Sequence, residues 1–335
     1  MSALLAVFLI ALTTTLVSVP WARRAAVAFN FLDVPARHKT HHSPTPLLGG
    51  AAIFTGATAG VLIIFGGEPP RTVVGVLLAT AIVALTGLLD DYRPLPVWAK
   101  LGGQFLGFLI LIYFGIRVRL PLPEPINFAV TLLWLLGITN AINFLDNVDG
   151  LSAGVVAVIS SFILLLALTN GQFLVGALAA GILGACIGFL RYNFPPAQIF
   201  MGDVGSLFLG FLLAAMGIQL RFPENSNFVT WMVPVFLFAL PIFDMALVVV
   251  SRMRRGLSPA SAGNDHTSHR LIRLGFTPRE AILILYLVSG VAGMVALFIT
   301  QATVIEGYLV GVSAAALALL AIVRLEQLWK ETLST

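Results

Sequence analysis

Five aspartates stand at the ends of long apolar runs: Asp90 and Asp91, Asp146 and Asp149, and Asp203. Ionisable groups at membrane depth are costly and are usually retained for function. Several of them on one face suit a hard divalent cation and, through it, a phosphate-rich substrate. Lys100 follows Asp91 by nine residues and can meet the carboxylates or a phosphate. Asn140, Asn143, Asp146 and Asp149 step by three, which on a helix draws one polar stripe of oxygen donors along about three turns. Asp203 follows Pro195-Pro196 and lies between Gly202 and Gly205, just ahead of another apolar run. Each group also has a plainer reading. The first aspartates and Asp203 can cap helices, and the stripe can be a solvated face.

Two polar stretches join these groups. Residues 251–280 hold Asp265-His266-Thr267-Ser268-His269-Arg270, where histidines and arginine suit an anionic phosphate. The plain alternative is a solvated loop anchored to headgroups. Arg37-His38-Lys39-Thr40-His41-His42 is a basic juxtamembrane stretch, which on its own reads equally as an orientation signal. Asp244, within an apolar run after Pro241, reads as a sixth site residue or, the better reading, as an internal partner for an Asn or Arg on a neighbouring helix. No Cys/His set has zinc spacing, and the single Cys186 reads as a small buried packing residue.

These residues need a membrane scaffold. The 335-residue chain is 59% hydrophobic and 10% charged, with a mean hydropathy of +0.98; soluble domains carry about 25% charged residues. The apolar runs approach the roughly 20 residues a spanning helix needs. The expected fold is therefore all-α and polytopic, a single transmembrane catalytic domain over residues 1–335 with about eleven spans: 2–20, 48–66, 72–89, 98–115, 127–145, 151–169, 172–190, 206–221, 228–250, 282–300 and 306–324. Arg23 and Arg24 follow the first run, the wrong order for a cleaved signal. The N-terminus is thus placed outside and the C-terminus in the cytoplasm. Loops near 21–47, 90–97, 146–150, 191–205 and 251–281 then face the cytoplasm. Of the 19 basic residues, 15 fall on that side, and Arg71, Arg117, Arg119 and Arg221 on the other. The net charge of +4 points to membrane orientation and anionic lipid or substrate, with no nucleic-acid partner.

Together the motifs resemble the polyprenyl-phosphate N-acetylhexosamine-1-phosphate transferase family (glycosyltransferase family 4). Leu89-Asp90-Asp91 looks like its Asp-Asp motif, and Lys100 falls at that motif's lysine. The segment from Asn140 to Gly150 is similar to its Asn-x-x-Asn-x-x-Asp-Gly-x-Asp-Gly string, and Phe200-Met201-Gly202-Asp203-Val204-Gly205-Ser206 to its most diagnostic one. His266-Thr-Ser-His269-Arg270 replaces the run of consecutive histidines of the branch that transfers phospho-muramoyl-pentapeptide. The chain therefore looks more like the undecaprenyl-phosphate N-acetylglucosamine-1-phosphate transferase branch. Ser268, Asn147 and Leu47 depart from residues common in that branch.

The resemblance implies transfer of N-acetylhexosamine-1-phosphate from a UDP-N-acetylhexosamine to undecaprenyl phosphate, with release of UMP, in a bacterial plasma membrane with the site facing the cytoplasm. It implies Mg²⁺, with Mn²⁺ as a substitute, on Asn143 and Asp203. Asp90, Asp91, Asp146, Asp149 and Lys100 become the catalytic set, and Lys39, Asn140, Asn193, His266, His269 and Arg270 the substrate contacts. A homodimer is plausible by resemblance alone. A secondary transporter also breaks helices with polar groups, but near the midplane and with inverted repeats; none is visible here. A CDP-alcohol phosphotransferase is disfavoured because Gly154 stands where its motif needs Arg.

Overall fold

The computed structural model describes residues 1–33, 44–66, 68–261 and 263–334; Lys39 lies outside them. The architecture is all-α, as the apolar runs require: in lipid a helix satisfies its own backbone. In chain order the helices are α1 (Ser2–Ala28), α2 (Gly49–Ile64), α3 (Arg71–Tyr92), α4 (Val97–Tyr113), α5 (Glu124–Leu145), α6 (Leu151–Thr169), α7 (Phe173–Asn193), α8 (Gly202–Gln219), α9 (Asn227–Thr230), α10 (Met232–Leu237), α11 (Ala239–Arg254), α12 (Thr267–Arg273), α13 (Pro278–Ile299) and α14 (Val304–Ser334). Two two-residue strands, β1 (Leu32–Asp33) and β2 (Thr45–Pro46), pair antiparallel, with Leu32 opposite Pro46.

Among the described residues eight helices are long and apolar enough to span a bilayer, with a ninth if the segments Asn227–Leu237 and Ala239–Arg254, bent by 68°, are one broken span. The remaining two expected spans are the shorter apolar helices α2 and α4. Helix α1 runs past its expected end to Ala28, with Arg24 lying over the Trp21 ring at 5.1 Å. The polar stretch 251–280, read from sequence as loop, contains α12.

The residues gather into two compact units, Met1–Arg221 and Phe222–Thr335. In the first, α8 is the central element, with 89% of its span inside, and α2, α3, α5, α6 and α7 pack around it. Glycines allow the closest approaches. A Cβ on Gly50 would come within 2.2 Å of the Gly205 nitrogen, and one on Gly87 within 2.3 Å of the Asp203 carbonyl oxygen. Backbone therefore lies directly on backbone where α2 and α3 meet the start of α8. Hydrogen bonds hold the same place: Phe200 N donates to Pro46 O (2.8 Å), and Gly50 N donates to Met201 O (2.8 Å). In the second unit α10, α11 and α12 pack on α13, and α9 and α11 on α14.

Candidate functional site

The chain reverses between α3 and α4 through Arg93-Pro94-Leu95-Pro96. A proline forces the residue before it to be extended, and Arg93 is extended (φ −149°, ψ 115°). This short link brings the C-terminal end of α3 beside the first turns of α4. Asp90 Oδ1 accepts from Leu95 N (2.7 Å) and pins the link, while Oδ2 lies 2.7 Å from Lys100 Nζ. Lys100 Nζ lies 2.7 Å from Asp203 Oδ2 as well. Asn143 Nδ2 then donates to Asp203 Oδ1 and to Ser206 Oγ, both at 2.9 Å. Four helices thus converge at one end of the first unit: α3 supplies Asp90, α4 Lys100, α5 Asn143 and α8 Asp203.

Asp91 does something different from its neighbour. Its two carboxylate oxygens accept from the backbone nitrogens of Asp203 (2.8 Å) and Val204 (3.0 Å). It caps α8 from another helix, satisfying donors that a helix start leaves open. Asp203 is not that cap, because α8 begins at Gly202 and places Asp203 in its first turn. The positive end of α8, which could otherwise face an anion, is occupied by the Asp91 carboxylate.

The polar stripe is shorter than its spacing suggested. Helix α5 ends at Leu145, so only Asn140 and Asn143 share its face, and Asp146 and Asp149 belong to the turn before α6. Gly150, at φ 76°, closes that turn in the left-handed region open to glycine. Asn140 Nδ2 donates to Gln104 Oε1 (2.9 Å), a buried residue one helical turn beyond Lys100. Sequence reading passed over Gln104; its spacing of four from Lys100 was the available signal. Asn193 is buried and spans two loops: its Oδ1 accepts from Gly150 N and its Nδ2 donates to Ile199 O, both at 2.9 Å. Asp149 Oδ2 accepts from Ala197 N (2.9 Å). These two residues tie the Asp146 turn to the loop that leads into Asp203.

Among the described residues the Asp146 carboxylate, alone of the five, takes part in no hydrogen bond or ion pair; the backbone nitrogen of Asp146 donates to Asn143 O at 3.2 Å. Burial, followed by the charges of Asp203 and Asp149, pushes its carboxyl up to about 7.

The second unit gathers the histidine segment, in which Asp265, His266, Ser268, His269 and Arg270 are buried, not solvated. Asp244 Oδ2 lies 2.8 Å from His266 Nδ1, and its Oδ1 accepts from Thr267 N at 2.7 Å. The partner of Asp244 is therefore a histidine and a helix start, and not the Asn or Arg expected from sequence. The contact fixes the His266 ring. His269 packs edge-on against His266 with ring centroids 6.0 Å apart. Burial and then the proximity of His266 pull the His269 imidazole down to about 4, so it is neutral at pH 7. Asp265 pairs with Arg252 (3.1 Å) and Arg255 (2.6 Å). The Arg270 guanidinium is engaged inside this unit, by Glu326 (2.6 Å) and by the carbonyls of Asp265 and Leu325. Trp329 lies under both Arg270 and Arg273, with its ring centroid 4.8 and 4.1 Å away.

Among the described residues no three His, Cys, Asp or Glu side chains form a closed metal site. A cation such as Mg²⁺ takes one or two carboxylates and completes its shell with water and phosphate; Asp203 and Asn143 are the residues here that could hold one. The Lys100 ammonium, lodged between two carboxylates, marks where positive charge is favoured. Asn143 presents an amide on the same carboxylate, and turning that amide over exchanges its nitrogen for an oxygen donor.

The family described as Glycosyl transferase family 4 matches residues 73–221, the stretch from α3 to the end of the first unit. The chain is 31% identical over 306 residues to a probable undecaprenyl-phosphate N-acetylglucosaminyl 1-phosphate transferase of Bacillus subtilis (strain 168), covering 89% of this chain and 85% of the relative. It is 30% identical to a decaprenyl-phosphate N-acetylglucosaminephosphotransferase of Mycolicibacterium smegmatis, over 81% of this chain and 76% of the relative. It is 25% identical to the undecaprenyl-phosphate alpha-N-acetylglucosaminyl 1-phosphate transferase of Escherichia coli K12, over 80% and 76% respectively.

Proposed function

This chain belongs to glycosyl transferase family 4, and on that premise we propose that it transfers N-acetylglucosamine-1-phosphate from its UDP donor to a polyprenyl phosphate, releasing UMP. The observation that carries the reading is the meeting of Asp90, Lys100, Asn143 and Asp203 at one end of four apolar helices. A lipid phosphate sits at headgroup level and a nucleotide sugar is dissolved in water. They meet only at the membrane boundary. The bias of basic residues supports the cytoplasmic boundary of a bacterial plasma membrane.

A phosphate oxygen of the lipid attacks the β-phosphorus of the donor; the bond from that phosphorus to the bridging oxygen breaks, and UMP leaves with the electron pair. Phosphoryl transfer depends on positioning and charge neutralisation more than on covalent help. Mg²⁺ held by Asp203 and Asn143 would supply the charge neutralisation on the diphosphate. Lys100, held by Asp90 on a helix that the Gln104–Asn140 pair ties to α5, neutralises charge on the phosphates being exchanged. Asp91 holds the first turn of α8 so that Asp203 faces the site. Asp146 is the carboxylate left to face the reactants. The acceptor phosphate is mostly dianionic at pH 7 (second pKa about 6), so removing a proton from it is a small part of the barrier.

The purified protein with tritiated UDP-N-acetylglucosamine, undecaprenyl phosphate and Mg²⁺ should yield solvent-extractable labelled lipid and an equal amount of UMP, and EDTA should stop both. Release of UDP in place of UMP would mean transfer of the sugar without its phosphate and would sink the reading. Product formation undiminished by EDTA would remove the metal from it.

A further inference from the structure

The face of the first unit opposite the carboxylates carries the four basic residues that the positive-inside count places on the wrong side. The structure gathers all four. Arg117, Arg119 and Arg221 line one cavity of about 650 Å³. Arg71 stands at its wall, its guanidinium 5.6 Å from the ring of Phe114, which lines the cavity too. Helix α8 joins this place to the catalytic end. Asp203 lies in its first turn and Arg221 just after its last, about 27 Å apart at 1.5 Å per residue.

The arginines are short of counter-charge. Arg117 pairs with Glu124 at 2.8 Å, but among the described residues no carboxylate pairs with Arg119 or Arg221. Burial and the neighbouring Arg119 hold the Arg221 guanidinium below its usual range. The cluster is nevertheless built to stay. Gln172 Nε2 donates to Arg221 O (2.7 Å) and its Oε1 accepts from Arg221 N (3.0 Å), and Arg221 Nη1 donates to Ile218 O (2.6 Å). Like charges held together by a fixed frame lower their energy by binding an anion, and guanidinium matches phosphate.

The anion's other half is written beside it. A second cavity of about 410 Å³, almost wholly apolar, runs between α3 and α4 along Leu78, Ile82, Leu109 and Tyr113, and Phe114 lines both cavities. Arg71 lies over the Tyr113 and Phe114 rings, at 5.8 and 5.6 Å, where the two meet. A free phosphate would use only the first cavity. A phosphate carrying a hydrocarbon chain fills both.

We propose that this face is a second lipid site, in which Arg119 and Arg221 bind the phosphate of an anionic phospholipid and the α3–α4 groove takes one of its chains. The site is separate from the transfer centre, so its occupancy can be read without activity. Full-length protein in detergent is mixed with phosphatidylglycerol or phosphatidylcholine and retained lipid is measured by native mass spectrometry. Phosphatidylglycerol should be retained in preference. The double variant Arg119→Gln/Arg221→Gln should lower its retention about tenfold, with transferase activity and thermal midpoint unchanged. Ala81→Trp, which fills the groove and leaves every arginine in place, should lower retention as well, and serves if the double variant does not fold. Equal retention of the two lipids, or wild-type retention in Ala81→Trp or in a folded double variant, would overturn the proposal. So would displacement of the lipid by millimolar inorganic phosphate, which would mark a site for free anions.

Discussion

Replacing Asp203 by Asn is expected to lower turnover about a thousandfold while leaving the protein folded. Asp203 bonds Lys100 through one oxygen and Asn143 through the other, so the amide disturbs the charge arrangement at the centre. It does not disturb the start of α8, because the cap there is the Asp91 carboxylate acting on backbone nitrogens. The substitution also relieves repulsion among crowded carboxylates. The thermal midpoint in detergent should stay within a few degrees of wild type, and turnover is read from UMP release. Combining Asp203→Asn with Lys100→Gln should cost far less than the product of the two single losses, since the pair acts as a unit. Near-normal turnover in Asp203→Asn would take Asp203 out of the reaction.

Asp146→Asn should stabilise the protein and impair it at once. The wild-type carboxyl titrates near 7 in the fold, against an ordinary value of 3.8. Folding therefore favours its protonated form. Below roughly pH 4 the group is protonated in both states and costs nothing; the penalty grows as pH rises towards about 7 and is fully present above it. Asparagine carries no charge and escapes the penalty. The variant should melt a few degrees above wild type at pH 8 and match it near pH 4, measured without metal or substrate. Its turnover should fall about a hundredfold, because the one carboxylate of the five site aspartates without a partner among the described residues is no longer offered to the substrates. A variant no more stable than wild type at pH 8 would mean that Asp146 bears no such charge burden.

Much of this site is legible in the chain because its parts are close in sequence or carry obvious periodicity. The apolar runs foretell the helices, since burial of backbone in lipid leaves them no alternative. The grouping of Asp90, Lys100, Asn143 and Asp203 follows from odd spans ending, and even spans beginning, on the same side. What a sequence cannot express is which oxygen serves which donor. Asp90 and Asp91 look equivalent as neighbours, yet a helix turns about 100° between them, so one meets Lys100 and the other the backbone of α8. The spacing of three from Asn140 to Asp149 reads as a helix face, but the chain leaves the helix after Leu145, and the Asn193 and Asp149 bonds that fix the turn come from residues more than forty positions apart. Arg270 looks like a phosphate ligand because its partner Glu326 lies 56 residues on, in α14. The α12 helix is hidden for a similar reason: its start is capped by Asp244 from α11.

The most direct test follows the phosphorus. UDP-N-acetylglucosamine carrying radiophosphorus at the β position is incubated with the purified protein, Mg²⁺ and undecaprenyl phosphate, and the lipid and nucleotide fractions are separated. The account predicts that the label moves to the lipid and that the nucleotide released is unlabelled UMP. Label that remains with the nucleotide as UDP, with sugar transferred or not, would contradict it.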